Sequence, residues 1–201
     1  SGSYVYSASY AQRNTFRSTI AHNTPMVDGQ EQNRFISEME LFSLHNDAIP
    51  KVLSWQSSDD LDVFTGSHSG FQKLGKPVIP VRNIILERNY HRLIVKDEFE
   101  GEGLHSIIVP FHLAPNCEVD QIGPMTWALH SNGKSFNLMA SGTTNWFNNL
   151  IVGAISPSYG VLLESNIIKF SNEGPLETLI IGIYPVTYAP ENPETWLKSY
   201  L

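Results

Sequence analysis

The chain has 201 residues, of which 41% are hydrophobic, 11% aromatic and only 16% charged, and one β-rich domain can reach this length without splitting. Thirteen Lys and Arg against 20 Asp and Glu give a formal charge of −7, which argues against a nucleic-acid binder with its basic face. The apolar fraction is too high for disorder, no apolar run is long enough to span a membrane, and the single Cys117 excludes an internal disulfide or a cysteine-based zinc cluster. In chain order, Tyr4, Tyr6 and Tyr10 come first, alternating with small residues. They read as a strand with an aromatic face, or as rings offered to a sugar. The stretch from Arg13 to Gly29 follows, with little strand alternation and with Arg13, Arg17, His22, Asn23 and Asp28 close together.

Beyond it, short β-branched runs are separated by turn residues. They predict strands at 50–55, 61–65, 78–87, 91–96, 105–113, 126–130, 135–139, 149–154, 160–164 and 177–184. Asn132-Gly133, between two alternating runs, predicts a tight hairpin. Pro110 has no N–H for a ladder and predicts an edge or bulge at one end of the 105–113 run. Helical signal is confined to the tail, where Asn192-Pro193-Glu194 can start a turn or two through Leu197. The expectation is an all-β, antiparallel two-sheet sandwich spanning residues 1–201 as one domain.

The candidate chemistry lies in the first 70 residues. Two guanidinium groups four residues apart, Arg13 and Arg17, read either as a clamp for carboxylates or sulfates or as braces for a loop. His22 reads as an acid, a base or a metal ligand, or as a structural histidine. His22 and His68, with Glu38 or Glu40 between them, could supply metal ligands, although no short ligand motif links them. His105 and His112 bracket an apolar strand and read as core histidines. There is no Gly-x-Ser-x-Gly, no P-loop and no dinucleotide fingerprint.

Several blocks, in order, resemble a known family. They are Gly2-Ser-Tyr-Val-Tyr6, the Arg13-Asn to Ala-His22-Asn-Thr to Val-Asp-Gly29 run, Gly66-Ser-His68-Ser-Gly-Phe71, Pro77-Val to Arg82, Asp97-Glu-Phe-Glu-Gly-Glu-Gly-Leu-His105, Phe111-His-Leu and Ser156-Pro-Ser-Tyr159-Gly160. Together they are similar to the C-terminal region of heparinase II/III-like polysaccharide lyases, over about residues 1–185. The resemblance implies a super-sandwich fold packed against an N-terminal α-helical toroid that these residues do not encode. It implies an acidic, uronate-containing polysaccharide as substrate and cleavage by β-elimination, through acid–base catalysis and stabilisation of an enolate-like state. It implies His22 as a catalytic residue, with Arg13, Arg17, Asn23 and Tyr6 facing substrate, and a zinc site drawing on His22, His68 and Glu40. It further implies a periplasmic or secreted protein, without a nucleic-acid or membrane partner, and no lyase activity from this chain alone. The alternative is a non-catalytic carbohydrate-binding or structural sandwich module.

Overall fold

The computed structural model describes residues 2–40, 43–142 and 146–201. Among them, twelve strands form two antiparallel sheets accompanied by two short helices. The strands are β1 Met26–Val27, β2 Pro50–Ser57, β3 Leu61–His68, β4 Val78–Glu87, β5 Arg92–Gly101, β6 Leu104–His112, β7 Glu118–Gly123, β8 Thr126–Ser131, β9 Lys134–Gly142, β10 Phe147–Ile155, β11 Leu163–Pro175 and β12 Leu179–Pro185. The helices are α1 Tyr10–Arg17 and α2 Pro193–Lys198. The smaller sheet has the order β1-β6-β11-β10 and the larger β2-β3-β4-β5-β12-β9-β8-β7. The expected all-β sandwich is the observed fold.

Period-two alternation sets which side chains meet between the layers. Ile107 and Val109 of β6 with Ile168 and Phe170 of β11 pack on Trp127, Leu129, Leu138, Ala140, Leu179 and Ile181 of β8, β9 and β12. The Val, Leu, Ile and Phe side chains among them each contribute about 1.5–3 kcal/mol on burial. The alternate residues of the larger sheet face outward, and there Ile94 and Ile180 receive Leu197 of α2. That helix starts as its sequence predicts: Asn192 Oδ1 accepts the Thr195 N–H at 2.9 Å and Pro193 occupies the first turn. The larger sheet has twice as many strands as the smaller, and its β2 edge stays open, with Trp55 65% exposed.

The turn chemistry is also as expected. Asn132 (φ 50°) and Gly133 (φ 73°) are both left-handed and join β8 to β9 in the manner of a type I′ hairpin. Pro110 lies where its missing N–H costs nothing. It pairs with Lys169 of β11 on one side, while on the other β1 has already ended at its Met26–Ile108 pairing.

Three elements differ from the sequence reading. The Tyr4–Tyr10 alternation is not a strand: Ser9 Oγ accepts the Gln12 N–H at 3.3 Å and α1 begins at Tyr10. The strand expected at 160–164 is displaced into β11, whose polar residues (Asn166, Lys169, Ser171, Asn172 and Glu173) interrupt the apolar pattern. The edge strand β7, with only Val119 and Ile122 as apolar residues, carries too little pattern to be read.

Candidate functional site

Residues 18–28 leave α1 and cross to the smaller sheet. Thr19–Ala21 forms a single 3-10 turn, fastened by Glu31, whose Oε2 accepts both the Thr19 N–H and its hydroxyl at 2.6 Å. His22 follows, and the Thr24 N–H closes a tight bend onto its carbonyl at 2.8 Å. The chain then pairs with β6, and Asp28, in the left-handed region, seals the join. Its Oδ1 accepts the Ser106 N–H, and its Oδ2 lies 2.9 Å from Nδ1 of the buried His105, which is a core histidine as expected.

Asn23 is held by both sheets. From the larger sheet, Arg82 of β4 donates to the Asn23 carbonyl, while its Nε and Nη2 bond both oxygens of Asp97 of β5 at 2.7 Å. Asp97 is 1% exposed, so this bidentate pair fixes the guanidinium in one orientation. From the smaller sheet, the His112 main-chain N–H donates to Asn23 Oδ1 at 2.8 Å. That N–H is available because, past Ile108, β6 has no ladder partner on that side.

The His112 ring contributes a further bond. Its Nε2 lies 3.0 Å from the Ile20 carbonyl, which can only accept, so Nε2 carries the proton and Nδ1 the lone pair. Nδ1 is out of solvent and has no hydrogen-bond partner among the described residues. A cavity of about 580 Å³ opens here, lined by Ala21, His22 and Asn23, by His112, Leu113 and Ala114, and by Ile155, Ser156 and Pro157. Burial is the main cause that pushes both imidazoles below the usual histidine value; for His22 the Glu31 carboxylate and a backbone hydrogen bond with Phe16 oppose it. The shift favours the neutral form of the His22 imidazole, the form able to take up a proton. The rings of Tyr6 and Tyr159 pair at 5.2 Å nearby and are both substantially exposed, with Gly160 tied to the Tyr4 carbonyl.

The remaining candidate residues lie elsewhere. Arg13, expected to face substrate, is 1% exposed and donates to the carbonyls of Tyr6 and Glu38. Arg17 donates to the carbonyls of Glu40 and Ser43 and lies over the Phe35 ring at 5.1 Å. Both act as braces for the loop that follows Phe35, because a guanidinium on α1 reaches main-chain carbonyls of that loop. His68 lines a separate cavity of about 240 Å³ with Phe64, Pro25 and Arg82.

The zinc implied by the resemblance does not fit the residues present. No group of three metal-capable side chains converges among the described residues. His68 Nδ1 already accepts the Gly70 N–H at 3.1 Å, so in the neutral ring Nε2 carries the hydrogen and has no lone pair to give. Glu40 is exposed on the braced loop.

Of the residues singled out in the sequence, His22 and Asn23 lie on this cavity wall, while three residues that hold their segment were not singled out. His112 read as a core histidine, and Arg82 and Asp97 appeared only as parts of longer blocks. A usable signal was Pro110, which marks a strand side without ladder donors two residues before His112.

An antiparallel sandwich with a histidine-lined cavity, formed where its N-terminal segment bridges both sheets, is the class of molecule these observations define. The chain belongs to the heparinase II/III-like family: the family model described as "Heparinase II/III-like, C-terminal" matches residues 1–176. Among curated proteins none matches. Solved structures with the same fold include a heparinase III, the BT4657 gene product, with a TM-score of 0.74 at 20% identity over 92% of this chain and 27% of that one. Heparan sulfate lyase HepC from Pedobacter heparinus gives 0.72 at 18% identity over 95% and 28%. A further heparinase III gives 0.74 at 16% identity over 94% and 28%. The chain therefore spans little more than a quarter of the length of these structures.

Proposed function

We propose that this chain is the sandwich domain of a polysaccharide lyase, and that His22 lines a cleft which an N-terminal helical domain completes. The observation that carries this reading is the placement of the His22 imidazole on the wall of the cavity of about 580 Å³, on a segment anchored to both sheets. The substrate class is a uronate-containing polysaccharide. In β-elimination a base removes the proton on C5, the C4–O4 bond breaks, a C4=C5 double bond forms and an acid protonates the departing O4. A neutral imidazole serves as acceptor or relay for such a proton, a contribution of about 10²–10⁴-fold. Since Arg13 and Arg17 are committed to loop carbonyls, the group that neutralises the uronate carboxylate comes from the partnering domain or from the substrate-facing rim.

A second reading, favoured by the exposed Tyr6–Tyr159 pair, is sugar binding without chemistry, because exposed rings stack on pyranose faces. The test is His22→Ala in the full-length protein, assayed on heparan, alginate and glucuronan by ultraviolet absorbance of the unsaturated uronate. The lyase reading expects a loss of about 10²-fold or more in kcat. Unchanged turnover would remove His22 from the chemistry, and retained sugar binding without turnover in the wild type would favour the second reading.

A further inference from the structure

Two histidines line the cavity, and the proposed chemistry uses only one. His112 makes two bonds to the segment that carries His22, on either side of it in sequence: its ring N–H to the Ile20 carbonyl at 3.0 Å and its main-chain N–H to Asn23 Oδ1 at 2.8 Å. The bend between these anchors is closed by the Thr24 N–H on the His22 carbonyl, so little freedom remains between residues 20 and 24. The other ring nitrogen, Nδ1, is buried and unpaired. Burying an unpaired acceptor is unfavourable, so a position selected for stability alone would favour an apolar side chain or one whose polar atoms are all satisfied. What His112 supplies is a rigid planar ring that holds a donor at a fixed reach from a β-strand.

We infer that His112 is a positioning residue for His22, acting through the paired bonds to Ile20 and Asn23. The inference rests on the reading of His22 as the proton-transfer group. It assigns a function to a residue whose side chain need not touch substrate. It also accounts for Pro110 and for the side of β6 left unpaired beyond Ile108: a continued β1 ladder there would consume the His112 N–H and displace the His22 segment.

Three substitutions in the full-length protein test it, with kcat and KM measured on the polysaccharide that the wild type cleaves and thermal melting as a control. His112→Gln keeps an N–H at nearly the reach of Nε2, whereas His112→Asn places its amide too short, and His112→Ala removes the donor. The expected result is a fall in kcat of about 10²-fold for the Ala and Asn variants, the size a displaced catalytic group produces. KM should change by less than about twofold, because an interaction realised in the transition state is what has been lost. His112→Gln should recover most of kcat. Wild-type kcat in His112→Ala or His112→Asn overturns the inference, as does a Gln variant that melts like wild type yet is as impaired as Ala. If the Ala variant does not fold, the Gln–Asn comparison decides. His22→Ala separates the two levels: if it retains full activity the underlying reading falls, whereas if it is inactive while His112→Ala is not, only the present inference falls.

Discussion

Asn23 uses its main-chain carbonyl and its side-chain oxygen on different partners, and each partner belongs to a different sheet. The Arg82 end of this joint depends on Asp97, a carboxylate almost wholly removed from water. Asp97→Asn should therefore destabilise the fold by about 3 kcal/mol, because it leaves the inward-facing guanidinium without its counter-charge. Urea denaturation measures this, and a cycle with Arg82→Met should show strong coupling between the two positions. Single-residue chemistry was only partly legible in the sequence. His22 stood out because arginines, an asparagine and an aspartate crowd around it within seventeen residues. Arg13 and Arg17 carry the same local signal, yet face inward to main-chain carbonyls of a loop more than twenty residues away, a pairing that no spacing discloses. His112 was obscured for the opposite reason. Apolar neighbours mark a buried strand, but they do not say that its last residues are paired on one side only.

Elements were legible where burial is one-sided and turns are strict. The Asn132-Gly133 hairpin and the capped tail helix follow from their own residues. The first helix had a signature of its own, Ser9 three residues before Gln12, but the tyrosine alternation overlapped it and pointed to a strand. In β11 the buried Asn172 and Ser165 break the apolar period, since polar side chains placed inside the fold cannot be told from solvated ones in sequence. The tail helix yields a pH prediction. Tyr200 donates to Glu87 Oε1 at 2.6 Å, and burial, reinforced by that carboxylate, pushes its phenol up to about 12 from an ordinary value of 10.0. The folded state holds this proton after the unfolded chain has released it, so the contribution is complete below pH 10 and drains away as pH rises to about 12. Tyr200→Phe should flatten that part of the stability–pH curve relative to wild type, with Trp196 fluorescence as the local reporter. A slope identical in both proteins would refute the assignment.

At the scale of the whole molecule, the eight-strand sheet extends well beyond its four-strand partner, and the β2 margin presents Val52 and Trp55 to solvent. The two-layer architecture was legible, since turn clusters at short intervals allow little else, but the unequal widths of the layers were not, because pairing order is a long-range property. Under the lyase reading the isolated chain should fold cooperatively yet release no unsaturated uronate from heparan, alginate or glucuronan. The same ultraviolet assay checks this, and turnover by the chain alone would contradict it.

The joint at Asn23 has a mechanical consequence. With Arg82 pulling from one layer and His112 from the other, residues 20–24 act as a strain gauge across the sandwich. A small shear between the sheets is converted directly into displacement of the imidazole. The position of the site is thereby tied to the interlayer packing, at whose centre the Trp127 and Phe170 rings meet edge to face.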